Sequence, residues 1–427
     1  MQNQTNSPSP WSYIPSLYFA SGVPFVIINT VSVILYKKLG VDNVQIALWT
    51  SFLYLPWVIK MLWGPIVDLY SNKRTWILST SLVMFLCLAG IAVCLQLANF
   101  FLISLVALTI GAFISATYDI ANDGFYLLAL NPGQQAFFTG IRSLFYRFAV
   151  IFGSGFLVFF AGKLEEYLKN VPLSWTLSIG FAALVLGILF VYHRLILPKP
   201  ELDNQYYRQA ERESLPFFAI ITSYFEQEKI LNILAFILLY RLGESMLVKM
   251  ASLFLLDKRE VGGLGLTTSD VGLVYGTFGV ISLIFGGILG GLVIAKHGLK
   301  KWLFPMALAM NLPNIFYVYM AYTQSSIALV YPLVSLEQFG YGFGFTAFSI
   351  YLMYICQGEY KTSHFAISTG FMALGMMLPG LVSGYLQKVL GYPLFFILVC
   401  LLTIPGMIAL FFIPLNEEPQ MNTSEHR

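Results

Sequence analysis

The chain of 427 residues contains few charged side chains. Asp, Glu, Lys and Arg make up 11% of it, against roughly a quarter in soluble domains. So little charge excludes an ordinary soluble domain, whose whole surface faces water. The mean hydropathy is +0.74, and apolar runs of about 20 residues recur as far as Pro414. The sequence therefore predicts an all-α membrane protein, since helices satisfy their own backbone hydrogen bonds in lipid.

Other scarcities exclude further classes. There are only four cysteines, and all of them fall in apolar runs, where cysteine behaves as a small hydrophobic residue. We therefore expect no disulfide, no metal site and no cofactor. The net charge of +3 is small and scattered, which argues against a nucleic-acid partner. The polar opening MQNQTNSPSP lacks a basic start and a cleavage site, so the first apolar run is expected to stay in the mature protein.

Twelve membrane spans are predicted when the apolar runs are divided at polar, glycine and proline residues. They lie near residues 12–36, 45–66, 75–96, 99–127, 137–162, 174–197, 230–256, 270–295, 302–322, 326–356, 364–388 and 393–415. An even number of spans puts both termini on one side of the membrane. Lys and Arg are more numerous in the loops on the side of the termini, which predicts that both termini are cytoplasmic.

The chain divides into two halves around its longest hydrophilic break, PKPELDNQYYRQAERES at 198–214. We expect a six-helix bundle over 1–197, a central cytoplasmic loop with an amphipathic segment over 198–229, and a second six-helix bundle with a short tail over 230–427. GPIVDLYSNKRTW (64–76) and GGLVIAKHGLKKW (290–302) are weakly similar and occupy the same loop in each half. This organisation suggests the major facilitator architecture, in which substrate binds between the halves near mid-membrane.

In transporters of that architecture, the loop between the second and third spans forms a cytoplasmic latch of acidic and basic residues. Here it contains Asp68, Lys73 and Arg74. Asp68 has no acidic counterpart in the second half, so the latch of the first half should dominate. Lys60 lies just before this loop and either snorkels to the interface or contributes to gating.

Asp119 and Asp123 in SATYDIANDGFY (115–126) lie one helical turn apart in an apolar span. An unpaired charge at mid-membrane costs at least about 2.5–3.5 kcal/mol, so both need partners or water. The short loop NPGQQ that follows predicts that Asp123 lies level with Arg142, and Asp119 level with Tyr146 or Arg147. Two interpretations stay open, a structural ion-pair cluster and a proton carrier, because carboxylate repulsion favours protonation while a nearby arginine favours ionisation.

Two further spans contain charges at membrane depth. YRLGESMLVK in the seventh span places Arg241 and Glu244 at i,i+3 spacing, which predicts that they pair. Glu337 opens EQFGYGFGF in the tenth span, whose glycines indicate either a helix break at a site or close helix packing. Polar and aromatic residues near these charges are candidates for stacking on a sugar ring or bonding its hydroxyls: Asn29, Tyr118, Asn122, Tyr146, Tyr240, Gln338 and Tyr341.

Several motifs together resemble the AmpG-type muropeptide permeases and their acetyl-CoA transporter relatives within the major facilitator superfamily. They are FASGVPF (19–25), PWVIKMLWGPIVDLY (56–70), SATYDIANDGFY (115–126), YRF (146–148), ILLYRLGESM (237–246), SDVGLVYGTFGVI with LGGL (269–292), and ALGMMLPGLVSGYLQKVLGYPLFF (373–396). The resemblance implies a monomeric, proton-driven importer of cell-wall amino-sugar fragments in a bacterial inner membrane.

The same resemblance implies roles for individual residues. Asp119 and Asp123 match the paired acids of the family, and Arg147, Arg241 and Glu244 match its basic and acidic positions. Proton coupling is therefore expected of Asp119, Asp123 and Glu244, and substrate binding of Arg147, Arg241 and Glu337. The family's Gln is replaced by Tyr118, and its aromatic-basic pair by Phe125 and Tyr126, so a neutral or less charged disaccharide is an alternative substrate.

Two other functional classes are weighed against a transporter. Asp-x-x-x-Asp holds Mg²⁺ and a diphosphate in some intramembrane transferases, but such sites need several more carboxylates. Ser115 and Leu127 stand at the next i±4 positions, and the sequence has no second Asp-rich motif. A sensor or scaffold with a transporter fold is the third interpretation.

Overall fold

The computed structural model describes residues 8–64, 67, 71–198, 217–356 and 361–415. Helices are its regular elements, and those residues contain no β-strand, so the all-α prediction is confirmed. Asp68 lies outside the described residues, as does most of the predicted central loop. The short helix Phe217–Phe225 follows that loop.

Apart from Phe217–Phe225, the described helices fall into twelve segments, α1 to α12, that coincide with the twelve predicted spans. They are α1 (Ile14–Val26 and Ser32–Lys38), α2 (Asn43–Phe52 and Leu55–Ile59), α3 (Lys73–Cys94), α4 (Phe100–Ala129), α5 (Pro132–Val150 and Val158–Leu168), α6 (Val171–Ile196), α7 (Ile230–Leu239 and Leu242–Leu256), α8 (Thr268–Leu273 and Val280–His297), α9 (Leu299–Asn311 and Ile315–Thr323), α10 (Ile327–Tyr354), and α11 and α12, which divide Lys361–Leu402 at the non-helical Gly391, with Ile404–Ala409 completing α12.

Length and apolarity alone identify nine candidate membrane spans in the described residues. One of them, Ser363–Ala409, contains both α11 and α12, because the chain continues through Gly391 without a loop. Neither α2 nor α10 is among the nine. The helix α2 is interrupted after Phe52, and again at the 3-10 turn Lys60–Leu62.

Side chains in the loops fix where several spans begin. The Asn72 side chain accepts a hydrogen bond from the Thr75 amide at the start of α3. Asn131 and Gln134 form a reciprocal capping box at the start of α5, where Pro132 also favours the first turn. Thr267 forms the same kind of box with Asp270 at the start of α8. These caps satisfy backbone N–H groups that have no partner within the helix.

Three helices contain a π-helical turn. The turns are Ile27–Val31 in α1, Ile151–Leu157 in α5 and Val274–Gly279 in α8. A π-turn inserts an extra residue and is found most often at functional sites. The turns of α5 and α8 contact each other, at the place where the two halves of the chain meet.

Glycines allow the two halves to approach closely. A Cβ added to Gly276 of α8 would collide with the Ser154 carbonyl of α5, and a Cβ on Gly162 of α5 would collide with Ser269. A Cβ on Gly384 of α11 would likewise meet the backbone of Asn43 in α2. Small residues bring helices together in membranes in this way. The pairs α5/α8 and α2/α11 therefore form the interface between the halves.

Polar contacts join the halves near one end of the bundle, called here the sealed end, which contains the loops 39–42, 169–170 and 257–267. Asp257 pairs with Lys37 and accepts a hydrogen bond from Asn43 at 2.9 Å. Thr268 donates to Glu165 at 2.8 Å, and Ser269 donates to Glu166 at 3.0 Å. In the described residues, the hydrogen bonds and ion pairs between the halves lie between this end and mid-membrane. The other end is called the opposite end.

Candidate transport pathway

Asp119 of α4 connects three helices of the first half. Its Oδ1 accepts a hydrogen bond from Ser21 of α1 at 2.6 Å, and its Oδ2 accepts one from the indole N–H of Trp57 in α2 at 3.1 Å. Lys60 in the 3-10 turn after α2 attracts it electrostatically. The side chain is half-buried and directed into the bundle. Burial favours the protonated acid, whereas the two donors and the cation favour the ionised carboxylate, so this site can both hold and release a proton.

Asp123 lies one turn nearer the opposite end and is much more exposed. Its Oδ1 accepts a hydrogen bond from the Tyr18 hydroxyl at 2.9 Å and lies 3.5 Å from Nη1 of Arg142. The side chain is 59% exposed although it faces α1 and α5. Exposure that faces other helices indicates a water-accessible opening between them. The predicted pairing of Asp123 with Arg142 is confirmed.

Arg142 connects this pair to two aromatic rings. Its Nη1 donates to the Tyr18 hydroxyl at 3.2 Å, and its guanidinium lies 5.3 Å from the ring centre of Tyr18 and 5.2 Å from that of Tyr126. Tyr126 itself donates to the Gln135 carbonyl. Arg142 therefore holds α1, α4 and α5 together beside Asp123, so part of the predicted ion-pair cluster is structural.

Of the residues predicted for the latch, Lys73 and Arg74 hold helix ends of the first half together at the opposite end. Arg74 donates to the carbonyls of Arg194 and Leu197 at the C-terminal end of α6, where a cation is favoured by the helix dipole. Lys73 is buried, donates to the Val67 carbonyl at 3.4 Å and packs its aliphatic chain against Gly124 of α4. A side chain at position 124 would displace this lysine.

Tyr146 and Arg147 of α5 face the middle of the bundle. The ring centre of Tyr146 lies 6.2 Å from that of Phe25. The Tyr146 hydroxyl is close enough to Asp119 for electrostatic interaction, as the loop length predicts. Arg147 interacts electrostatically with Tyr341 of α10 and lies beside Gly287 of α8. It therefore extends from the first half of the chain to the second.

Arg241 and Glu244 do not pair, so that prediction is wrong. The α7 helix is interrupted at Tyr240 and Arg241, and Arg241 has non-helical torsion angles (φ −109°, ψ 15°). Its guanidinium instead donates to the Tyr341 hydroxyl and lies 4.8 Å from the ring centre of Phe345. The i,i+3 rule fails because it holds only inside a continuous helix.

Two glutamates of the second half lie close together in its interior. Glu244 is 0% exposed, and neither of its carboxyl oxygens has a hydrogen-bond partner in the described part of the chain. Glu337 is 1% exposed, accepts from Gln338 at 3.1 Å and from the Tyr317 hydroxyl at 3.4 Å, and interacts electrostatically with Glu244. Two buried carboxyl groups therefore lie close together, and Arg241, the cation that interacts electrostatically with Glu244, makes no hydrogen bond to it.

Four of the predicted substrate ligands lie away from this central region. Tyr118 donates to the Leu17 carbonyl, and Asn122, on the same face of α4, is 1% exposed without a hydrogen-bond partner among described residues. Tyr240 donates to the Gly344 carbonyl and stacks on Phe348. The Asn29 amide donates to the Phe25 carbonyl within α1. Tyr118, Asn122 and Tyr240 thus pack inside their own bundles, whereas Tyr146, Arg147, Arg241 and Tyr341 meet at the centre.

Lys249 of α7 is a central cation that the sequence interpretation left without a role. It is 6% exposed, donates to Thr50 of α2 at 3.0 Å and lies 5.7 Å from the ring centre of Tyr54. No carboxylate of the described residues lies within ion-pair distance of Lys249. A lysine inside an apolar span is the sequence signal that could have indicated a role for Lys249, but the residues it contacts are in the other half of the chain.

Comparisons with known proteins agree with this architecture. A family model described as Major Facilitator Superfamily matches residues 16–378 and 263–427. A Rickettsia felis protein that carries the name AmpG 4 is 25% identical, over 93% of this chain and 94% of its own length. An Escherichia coli protein named anhydromuropeptide permease is 24% identical, over 92% of this chain and 77% of its own.

Solved structures of similar fold are much more distant in sequence. A D-xylose-proton symporter aligns with a TM-score of 0.69 at 12% identity, covering 94% of this chain and 96% of its own. A POT family transporter in complex with 5-aminolevulinic acid aligns with a TM-score of 0.68 at 13% identity, covering 96% and 97%. At this identity the alignments establish the fold alone.

Proposed function

Because the chain belongs to the Major Facilitator Superfamily, we propose that it imports cell-wall-derived amino-sugar compounds together with protons. Membership of this family makes the chain a multi-pass membrane protein and a secondary transporter of a small molecule. The proposed cargo is an anhydro-muropeptide or a related disaccharide, and the proposed membrane is a bacterial inner membrane. The transporting unit is a monomer driven by the proton gradient, without a cofactor.

The arrangement of Asp119 and Asp123 is the observation that most directly supports the proposal of proton coupling. Asp123 is 59% exposed at the opposite end, and Asp119 lies one helical turn deeper with two hydrogen-bond donors and a nearby lysine. A proton can therefore pass between the opening and the centre over two carboxyl groups. Glu244 is the third proposed proton carrier, on the other side of the passage. Acids at membrane depth are rare and serve proton relays in many transporters.

Alternating access follows from the asymmetry between the two ends. The distribution of Lys and Arg favours a cytoplasmic location for both termini, and this makes the sealed end periplasmic. The described conformation would then face inward, with Asp123 open to the cytoplasm. Import requires the opposite state, in which α5/α8 and α2/α11 separate at the sealed end and the cytoplasmic end closes.

Three buried or half-buried cations support a substrate that carries a carboxylate. Arg147, Arg241 and Lys249 surround the centre, and no carboxylate of the described residues lies within ion-pair distance of any of them. Unpaired charges at this depth are expensive, and an anionic ligand would compensate them. Tyr146 and Tyr341 beside these cations are suited to stack on sugar rings, and Gln338 to bond hydroxyls.

A neutral amino-sugar oligosaccharide is the second candidate substrate. The position where the related permeases are expected to have a basic residue is Tyr126 here, and its hydroxyl is already bonded to the Gln135 carbonyl. The cation that would hold a peptide carboxylate near Asp123 is therefore absent at that position. The transferase interpretation of Asp-x-x-x-Asp conflicts with the family assignment.

Uptake by proteoliposomes under an imposed pH gradient tests the proposal. The probes are radiolabelled N-acetylglucosaminyl-anhydro-N-acetylmuramic acid, the same disaccharide with a tripeptide, and neutral N,N′-diacetylchitobiose (called chitobiose below). We expect gradient-dependent accumulation of at least one anhydro compound, and none in the presence of a protonophore. Accumulation of chitobiose alone would select the neutral alternative, whereas equilibration of every probe without accumulation would refute proton coupling.

A further inference from the structure

Glu244 and its surroundings differ from every other acidic site described above. Both carboxyl oxygens are fully buried and lack a hydrogen-bond donor among the described residues. An isolated carboxylate in such a place loses its hydration without compensation, and the group becomes protonated instead. Glu337, which does have donors, adds a second acid close by and further disfavours a negative charge on Glu244.

The only arginine of α7 in this region is engaged elsewhere. Arg241 donates to the Tyr341 hydroxyl and lies over the Tyr341 and Phe345 rings, at 5.3 Å and 4.8 Å from their centres. Its Nε has no hydrogen-bond partner in the described residues. Cation–π contacts hold the guanidinium without neutralising it. Arg241 therefore lies three residues before Glu244 and attracts it electrostatically, but makes no hydrogen bond to either carboxyl oxygen.

The helix break beside Arg241 makes an exchange of partners feasible. Arg241 is the N-cap of the second part of α7, and its backbone lies outside the helical region (φ −109°, ψ 15°). A rotation of roughly 50° in each of these torsion angles would bring Arg241 to helical values and make α7 continuous. In a continuous helix, residues i and i+3 share one face, and Arg241 would then reach Glu244.

We propose that Glu244 carries a proton in this conformation, and that Arg241 displaces this proton by leaving Tyr341 and pairing with Glu244. The proton leaves Glu244 for the passage as the guanidinium arrives, so the net charge of the buried cluster falls by one and the resulting carboxylate is neutralised by Arg241. The pairing that the sequence predicts is then the other state of the same switch. The inference deepens the proposed function and rests on it for its place in the transport cycle.

Other ionisable groups around Glu244 belong to three neighbouring helices and to α7 itself. Those that interact electrostatically with the two glutamates, or share the helix with Glu244, are Tyr275 of α8, Tyr317 of α9, Glu337 and Tyr341 of α10, and Arg241 and Lys249 of α7. Towards α12, the atoms nearest to a Cβ built on Gly243 belong to Val399 and Thr403, which do not titrate. Arg241 is thus the cation placed to replace the proton, since Lys249 is bonded to Thr50.

Infrared spectroscopy of the reconstituted full chain tests this directly, because a protonated carboxyl has a C=O band that a carboxylate lacks. Protein with [13C]glutamate is compared with unlabelled protein at neutral pH, without substrate. We expect a C=O band that shifts on glutamate labelling, is lost in Glu244→Gln and persists in Glu337→Gln. A band that is absent from the folded wild type, or that survives Glu244→Gln, overturns the proposal.

Two further variants test the exchange of partners. Tyr341→Phe removes the hydroxyl that holds Arg241 and should weaken the band at neutral pH, while Tyr385→Phe, at an exposed tyrosine of α11, should leave it unchanged. An unchanged band in Tyr341→Phe contradicts the exchange. Loss of the band on adding sodium at constant pH would show a metal-cation site and would also overturn the proposal.

The same experiment separates this inference from the proposed function. Asp119→Asn should keep the glutamate band, because Asp119 lies in the other half of the chain. If the band is present but no amino sugar accumulates in proteoliposomes, the proposed function fails and the proton on Glu244 stands. If sugar accumulates with protons and the band is absent, the reverse holds.

Discussion

The paired aspartates of the first half and Glu244 of the second half are held in opposite ways. In the first half, Asp119 has two hydrogen-bond donors, Asp123 has an arginine and a tyrosine, and both side chains are at least partly exposed. In the second half, Glu244 has no donor among the described residues and is fully buried. The first arrangement stabilises a charge and the second stabilises a proton. Burial alone therefore does not define a proton-coupling site, because the hydrogen-bond and charge partners decide whether the ionised or the protonated carboxyl group is stabilised.

The largest effect is expected from removing the charge that the first half stabilises. Asp119→Asn should abolish accumulation driven by a pH gradient while substrate exchange continues. One pH unit stores about 1.4 kcal/mol per proton, enough for about tenfold accumulation, and the variant should reach a ratio of about one. Uptake of the labelled anhydro-disaccharide measures this ratio. Glu260→Gln, at an exposed acid of the sealed end, is the control, and full accumulation by Asp119→Asn would exclude it from coupling.

Separating the helices at the sealed end should open the centre of the protein to water from that end. Gly276→Val places methyl groups against the Ser154 carbonyl and should separate α5 from α8. A cysteine introduced as Thr50→Cys, in a background without the native cysteines, should then react with a membrane-impermeant thiol reagent added on the side of the sealed end. Gly291→Val in the same helix, where an added Cβ meets nothing within 4 Å, should leave that cysteine protected. Equal labelling in the two glycine variants would contradict a seal at this crossing.

Removing the positive charge of Lys249 should change the KM of uptake according to the charge of the substrate. Lys249→Gln keeps a donor near Thr50 but removes the positive charge, so uptake of an anionic amino sugar should require a higher concentration. A charged hydrogen bond contributes about 1.5–3 kcal/mol, which corresponds to a KM increase of at least about tenfold. The exposed Lys388→Gln serves as the control. An equal KM change for a neutral sugar would show that Lys249 acts only on the conformation.

The smallest effects should appear in thermal stability, with different signs in the two halves. Ser21→Ala removes a donor from Asp119 and should lower the melting temperature, since a hydrogen bond to a charged group contributes about 1.5–3 kcal/mol. Glu244→Met breaks no hydrogen bond and replaces a buried polar group by an apolar one, so the melting temperature should be unchanged or higher. A comparable decrease in both variants would remove the distinction drawn between the two sites.

Local sequence rules predicted what depends on one continuous helix or one short loop. The twelve spans coincide with helices, and Asp123 meets Arg142 because the capped turn at Asn131 fixes how α4 and α5 lie against each other. Tyr118 and Asn122 each stand one residue before an aspartate, about 100° around the helix, so they face the bundle interior instead of the passage.

Long-range contacts and breaks in the helix could not be predicted in this way. The pairing of Arg241 with Glu244 failed because α7 breaks at Tyr240 and Arg241, and no proline or glycine precedes the break to indicate it. The partner of Arg241 is a hundred residues away in α10. Lys249 falls inside an apolar span of the sequence, but its contact with Thr50 joins two halves whose relative position the sequence does not contain.

Simultaneous recording of proton entry and sugar uptake in single preparations of proteoliposomes tests the central claim most directly. An internal pH dye reports protons while the labelled anhydro-disaccharide reports substrate, with no imposed pH gradient. We predict that adding substrate outside acidifies the interior in step with uptake, and that Asp119→Asn takes up substrate without acidification. Sugar uptake by the wild type with no change in internal pH would contradict proton coupling through these acids.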